Sequence, residues 1–361
     1  MSAHQIKNLR PDELTSLERI GLALQYQKPD RVPAAPLVCG ASCRVLGISY
    51  DRWSQDPQAA TASLLAAQEL IGFDGFLTLV DLSVEAEDFG QEVIFPERST
   101  ALPNFDNPFI RNADEYAKVK TIDPRQARRM RMVTEVVRGL VAARGQDLAV
   151  MGFVYGPLGV LSQIRGHAEL FKDIIRHPDR VLEAVETING VLIEYALEQV
   201  RAGAHAIVLD PLYSSASILR KETWVRFEGV FMTTLANAIR DAGGTVVVHN
   251  CGGGVYFDAV MELINPVAIS HAYPAHGSPD WEDHAAKWSR KVVSIGVADP
   301  AKLGHEFNQD EVLEDCRRQI ETFSVADGGF ILSSGCEFPP NGNLLSAATM
   351  VKAARLFGQY R

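Results

Sequence analysis

Short apolar runs and longer amphipathic stretches alternate along almost the whole chain, and this alternation limits the folds open to it. The apolar runs lie at 33–39, 75–81, 148–154, 206–210, 245–249, 266–270, 292–297 and 329–333. They are short and nearly continuous in hydrophobicity, the pattern of strands buried on both faces. Between them, 57–71, 126–143, 159–176, 178–202, 222–242, 255–264, 309–323 and 343–357 carry helical spacing or strong helix formers. Parallel strands need long crossovers, which helices supply. Eight such units are what a closed (β/α)8 barrel requires, so an α/β TIM barrel is expected, with a doubly wound open sheet as the alternative. Ahead of the first run, Thr15-Ser16-Leu17-Glu18 has the form of a capping box, and Leu17, Ile20 and Leu24 continue a helical stripe toward Pro29. Residues 1–32 therefore read as an N-terminal helical extension of one barrel domain spanning 1–361, and the Pro- and Asn-containing stretch 85–123 as an elaboration between the second and third strands.

Composition removes several classes of function. The chain has 361 residues, 47% hydrophobic and 22% charged, which suits a large buried core and excludes a disordered or collagen-like protein. Its 35 basic and 45 acidic residues leave a net charge of −10, and no lysine- and arginine-rich run offers a phosphate-binding stripe. Nucleic acid is not expected as a partner. No run of about 18 apolar residues marks a membrane span, and the first residues lack the apolar core of a secretory signal, so a soluble cytoplasmic protein is expected. Five cysteines, an odd number, do not form a disulfide framework and are expected to include reduced thiols. Neither a Gly-x-Gly-x-x-Gly turn after a strand nor a P-loop is present, so nicotinamide and nucleoside triphosphate chemistry lack support.

In a barrel, chemistry collects at the C-terminal ends of the strands. Those ends bring together Cys39, Asp81, Tyr155, Asp210, His249 with Cys251, His271, Asp299 and Cys336. In an extended chain, side chains two apart share a side, so His249 and Cys251 can reach one metal ion while Asn250 points away. Cys336, just past the last apolar run, adds a second thiol. His, Cys and Cys make a three-ligand zinc set, and a catalytic zinc keeps its fourth position open. Beside two thiolates, that position suits a third thiol, bound as the anion and nucleophilic near neutral pH. Gly252, Gly253 and Gly254 let the backbone turn close to a bound group, and Tyr155, Gly252 and Gly253 are assigned to cofactor contact. Asp81 and Asp210 are assigned catalytic roles, orienting a ligand or taking a proton, with a strand-end cap or salt bridge as the competing reading. Glu85, four residues after Asp81, is assigned with them as a catalytic residue at the same mouth, against the reading of a solvated loop acid. Cys39 reads as packing, Cys316 as chemically silent within a helix, and His271 and His276 as exposed loop histidines.

On these residues the chain resembles the uroporphyrinogen decarboxylase superfamily, in its zinc-dependent branch of methylcobamide:thiol methyltransferases of the coenzyme M type. The resemblance runs through Glu18-Arg19, Lys28-Pro29-Asp30-Arg31-Val32-Pro33, Gly72-Phe73-Asp74-Gly75 with Asp81 and Glu85, and Gly156-Pro157. It continues through Ala202-Gly203-Ala204, Asp210-Pro211, His249-Asn250-Cys251-Gly252 and Gly328-Gly329-Phe330-Ile331 to Cys336. It implies a (β/α)8 barrel, zinc on His249, Cys251 and Cys336, and transfer of a methyl group from a methylated corrinoid to a small thiol acceptor. The corrinoid-ligating Asp-x-His-x-x-Gly stretch is missing, so methylcobalamin or a related corrinoid is expected as a docked co-substrate, carried by a separate corrinoid protein. Uroporphyrinogen decarboxylases carry an arginine-rich stretch after the first strand, whereas Cys39-Gly40-Ala41-Ser42-Cys43-Arg44 has one arginine, which disfavours porphyrinogen decarboxylation. The competing readings are a metal-free decarboxylase-like lyase, zinc-dependent thiol addition to another electrophile such as an epoxide, and a corrinoid-binding or scaffold protein. Neither the acceptor thiol nor the oligomeric state follows from the sequence.

Overall fold

A computed structural model describes residues 12–299, 302–303 and 308–360. Its strands, in chain order, are β1 (Gly75–Leu77), β2 (Val93–Ile94), β3 (Leu102–Pro103), β4 (Ala149–Tyr155), β5 (Ala206–Asp210), β6 (Thr245–Asn250), β7 (Ala268–His271), β8 (Val293–Ala298) and β9 (Phe330–Ser334). Seven of them form one curled parallel sheet in the order β1-β4-β5-β6-β7-β8-β9, with helices packed outside it, while β2 and β3 make a small antiparallel ribbon. The fold is thus α/β and TIM-barrel-like, and each of its seven strands grows from one of the expected apolar runs.

The eighth run, 33–39, is not a strand. Pro33 and Pro36 have no N–H to give to a ladder. The segment is nevertheless held in extended form between β9 and the entry to β1: Ala35 N donates to Leu332 O (2.8 Å), Leu332 N to Pro33 O (2.9 Å) and Asp74 N to Ala34 O (2.8 Å). Two hydroxyls replace ladder partners, with Leu37 N donating to Ser334 Oγ (3.0 Å) and Ser333 Oγ to Ala35 O (2.7 Å). Cys39, expected at a strand end, instead opens the 3-10 helix Cys39–Leu46.

Two expected helices are also subdivided. The stretch 159–176 is broken at Gly166, whose φ of +87° suits glycine, into Pro157–Arg165 and His167–Arg176. The stretch 222–242 passes from Lys221–Trp224 through a π turn, Val225–Gly229, into Val230–Asp241. Such turns are common at functional sites; this one carries the buried Glu228. The elaboration 85–123 overlaps the short helix Val84–Asp88 and contains the ribbon and the 3-10 helix Ala113–Lys118.

The capping box forms as expected, with Glu18 N donating to Thr15 Oγ1 and Thr15 N to Glu18 Oε2. The helix that it starts, Ser16–Leu24, plugs the N-terminal end of the sheet. Its Leu17, Ile20, Gly21 and Leu24 join Met151, Ala206, Val247 and Ile295 around an apolar cavity of about 320 Å³. Arg19 and Arg31, both buried, share Asp74 and also bind Asp30 and Asp12 respectively, which pins the plug to the sheet. Residues 1–11 of the expected extension lie outside the described residues. Among the described residues, no helix is long and apolar enough to cross a membrane.

The cavity also reveals which residues point inward. Side chains alternate along a strand, so counting by twos from Met151, Ala206 and Val247 puts Tyr155, Asp210 and His249 on the inner face at the C-terminal rim.

Candidate metal site

His249 ends the apolar part of β6 and Cys251 follows the strand's last residue, while Cys336 lies two residues beyond β9. The strand ends converge, and the ligand atoms of the three side chains lie within 4.8 Å of one another. His249 is 5% exposed, and its Nδ1 lies 3.0 Å from Ser270 Oγ on β7, the residue opposite it in the parallel register. That contact orients the ring and leaves Nε2 free to bind a metal, the usual outer support of a ligating histidine. Cys251 is held below the usual thiol range by its neighbours Cys336 and His249, whereas Cys336 is pushed up by Cys251 and by burial. Asn250 points away, its Nδ2 donating to Pro211 O (2.9 Å) and Ser214 Oγ (2.8 Å).

Buried carboxyl groups lie at and just beyond the strand ends. Asp210 ends β5, is 4% exposed, and its Oδ1 has no hydrogen-bond partner; burial pushes it up to about 7 against the pull of His249. Tyr155 pairs with Asp210 in register, is fully buried, and its hydroxyl is also unpartnered. Glu85 is not a solvated loop acid. It sits in Val84–Asp88 at 1% exposure, accepts from Tyr155 N (3.1 Å), and is pushed up to about 7 by burial. Asp81 is buried as well, but its carboxylate is held by the Arg129 guanidinium and Ser83 N. Gly252 N donates to Asn250 Oδ1 (2.8 Å) and Gly253 N to Ser217 Oγ of the segment after β5 (3.1 Å), so both amides are engaged within the protein.

Sequence reasoning misses two acids, Glu337 and Glu228. Glu337 follows Cys336 directly and is pushed up to about 7 by burial; it accepts from Gly40 N (3.1 Å) and Tyr50 Oη (3.3 Å). A side chain at position 40 would put its Cβ 1.9 Å from Tyr50 Oη, so only glycine allows this approach. Glu228 accepts from Trp224 Nε1 (2.9 Å) and Leu158 N (3.1 Å), with burial pushing it up to about 8. Only Glu337 had a clue, its adjacency to a ligand cysteine. His271 is not exposed: it is fully buried at the end of β7, its Nδ1 3.1 Å from Tyr273 O, whereas His276 is exposed. Cys39 and Cys316 are buried apart from the cluster, and burial pushes both thiols up.

The chain is similar to known proteins at low sequence identity. Methylcobamide:CoM methyltransferase MtbA of Methanosarcina acetivorans is 22% identical over 341 residues, covering 92% of this chain and 96% of that protein. Its namesake from Methanosarcina mazei is 24% identical over 353 residues, covering 95% of this chain and 99% of that protein. A solved structure described as a methyltransferase from Methanosarcina mazei superposes with a TM-score of 0.80 at 19% identity, over 95% of this chain and 98% of that one. Residues 15–357, most of the chain, match the family described as uroporphyrinogen decarboxylase (URO-D), and the chain belongs to that family.

Proposed function

We propose that this protein moves a methyl group from a methylated corrinoid, carried by a separate corrinoid protein, to a small thiol, with zinc held by His249, Cys251 and Cys336. The chain is a methyltransferase in this reading, and the observation that carries it is the three-ligand cluster within 4.8 Å, its histidine braced by Ser270. The donor chemistry fits the ion: two thiolates and a neutral imidazole supply a charge of about −2, matching Zn2+, and three ligands leave a position open. Bound there, zinc supplies a Lewis acid that holds an acceptor thiol as its anion near neutral pH.

The chain's own residues do the rest. Ser270 fixes the plane of His249, and the rim of inward residues Tyr155 and Asp210 shapes the space beside it. In the overall reaction the thiol proton goes to solvent, a sulfur–carbon bond forms, and the electron pair of the broken cobalt–carbon bond stays with cobalt. Arg44, the single arginine after the first apolar run, donates to Gly342 O and so is engaged in the fold, which further disfavours recognition of a porphyrinogen's carboxylates. The test is to purify the protein under reducing conditions, measure zinc, and follow the absorbance of methylcobalamin with a panel of thiols. One zinc per chain and thiol-dependent loss of methylcobalamin are expected. Full zinc content in Cys336→Ala, or no turnover with any thiol, refutes the reading.

A further inference from the structure

We infer that the N-terminal end of the barrel holds a second binding site, for a neutral and mostly apolar molecule that carries one hydroxyl. The site is the apolar cavity of about 320 Å³ under the helix Ser16–Leu24, and it is separate from the metal cluster. Phe153 and Val208, buried and inward-facing by strand parity, lie between Met151 and Ala206 on the cavity wall and Tyr155 and Asp210 at the rim. The inference does not depend on the methyl-transfer reading.

Three observations mark the cavity as a place for a ligand. The interior of such a barrel is ordinarily a packed core, filled in layers by bulky branched side chains. Here Ala35, Ala149 and Ala206 stand on the wall, and the space that larger residues would fill is open. Gly21 faces them from the interior of the helix, where glycine is less stable than alanine, yet a Cβ built there meets nothing within 4 Å. The cavity also has a mouth: Gln25, the C-cap of the helix, is exposed, and Val267, just ahead of β7, is an apolar side chain left 39% exposed.

Size and polarity define the class of occupant. An apolar cavity of about 150 Å³ takes up benzene, and small-molecule sites begin at about 300 Å³. At about twice the first figure, this one holds about a dozen heavy atoms, two fused rings where the smaller takes one. No carboxylate, lysine or arginine lines it, so an ionised ligand would lose its hydration and find no partner. The polar side chains on its wall are those of Gln25, His205 and Thr245. His205 Nδ1 accepts from Val150 N (3.0 Å), which puts the ring proton on Nε2 as a donor. Thr245 Oγ1 has no partner among the described residues. These groups suit one hydroxyl on an otherwise apolar body.

Calorimetric titration of the full chain with 2-naphthol and 2-naphthoate compares a hydroxyl with a carboxylate on the same two rings. One 2-naphthol should bind per chain, at least about tenfold more tightly than 2-naphthoate. Gly21→Leu puts a side chain into the cavity and removes a glycine from the helix interior; it should keep or raise the wild-type Tm and weaken 2-naphthol at least about tenfold. Anomalous scattering from crystals soaked in 6-bromo-2-naphthol locates the ligand without a variant, and bromine is expected between Gly21 and Ala206. Absence of 2-naphthol binding, equal or tighter binding of 2-naphthoate, wild-type affinity in a folded Gly21→Leu, or bromine bound elsewhere alone each overturns the site. None of these measurements involves zinc, corrinoid or thiol, so their failure leaves the transfer reading as it was.

Discussion

Replacing Ser270 with alanine isolates the support of the metal site from the ligands themselves. Ser270 is 4% exposed, and its Oγ lies 3.0 Å from His249 Nδ1. Without it the imidazole loses its fixed orientation, and a buried nitrogen is left unsatisfied. Loss of such outer contacts weakens metal binding about 10- to 100-fold, or about 1.4–2.7 kcal/mol. The orphaned nitrogen also costs about 1–3 kcal/mol of folding stability. For a chain of 361 residues, with about 2.1 cal/mol/K of unfolding entropy per residue, that is a fall of about 1–4 °C in Tm. Zinc affinity is read by competition with a chromogenic chelator, and Tm by calorimetry of the metal-free and zinc-loaded protein. Cys336→Ala, which removes a ligand, sets the scale for complete loss. Wild-type zinc affinity in Ser270→Ala, whatever happens to Tm, would show that the serine only packs against the ring and would refute the argument.

The two strand-end aspartates should part company. Asp81→Asn leaves Arg129 fully buried with Glu87 alone, and should cost about 3–5 kcal/mol in chemical denaturation, whereas Asp210→Asn breaks no ion pair and removes an acid that burial pushes up to about 7, so near neutral pH it should leave the midpoint unchanged or raise it; a comparable loss in both would contradict this. Glu85 is raised from its ordinary value of 4.5 to about 7, so the folded state binds the extra proton between those values. Stability from this group is complete below about pH 4.5 and falls by roughly 3 kcal/mol as pH rises to about 7; Glu85→Gln should flatten that part of the stability profile, and an unchanged profile would count against the buried acid. Cys316→Ser, deep in the helix Gln309–Thr322 and away from the cluster, should keep one zinc per chain by metal analysis, and loss of the metal would reopen the ligand assignment. Gly40→Ala should displace Tyr50 from Glu337, visible as altered near-ultraviolet circular dichroism, since its Cβ would come within 1.9 Å of the phenol oxygen.

The strand pattern was legible because a parallel sheet covered by helices buries both faces of each strand, and that demand shows as continuous apolar runs. The run 33–39 satisfies the same demand, yet Pro33 and Pro36 deny it a ladder; hydrophobicity reports burial and does not count N–H donors. The pairing of His249 with Cys251 was legible from their spacing of two, because strand geometry alone puts them on one side. Bringing Cys336 to them, and Ser270 behind the histidine, required the curl of the sheet and the β6–β7 register. Asp81 and Asp210 look alike in the sequence, each an acid at the end of an apolar run, and they differ only because Arg129 reaches one of them from the helix Arg128–Arg144. Its spacing from Asp81 places Glu85 at the mouth, but nothing near it in the chain announces the Tyr155 amide that it accepts from or the burial that raises it. Strand parity, capping and helical spacing act over a few residues and so are written in the sequence itself. Desolvation and charge pairing depend on groups tens or hundreds of residues away, and only the folded chain decides which of them meet.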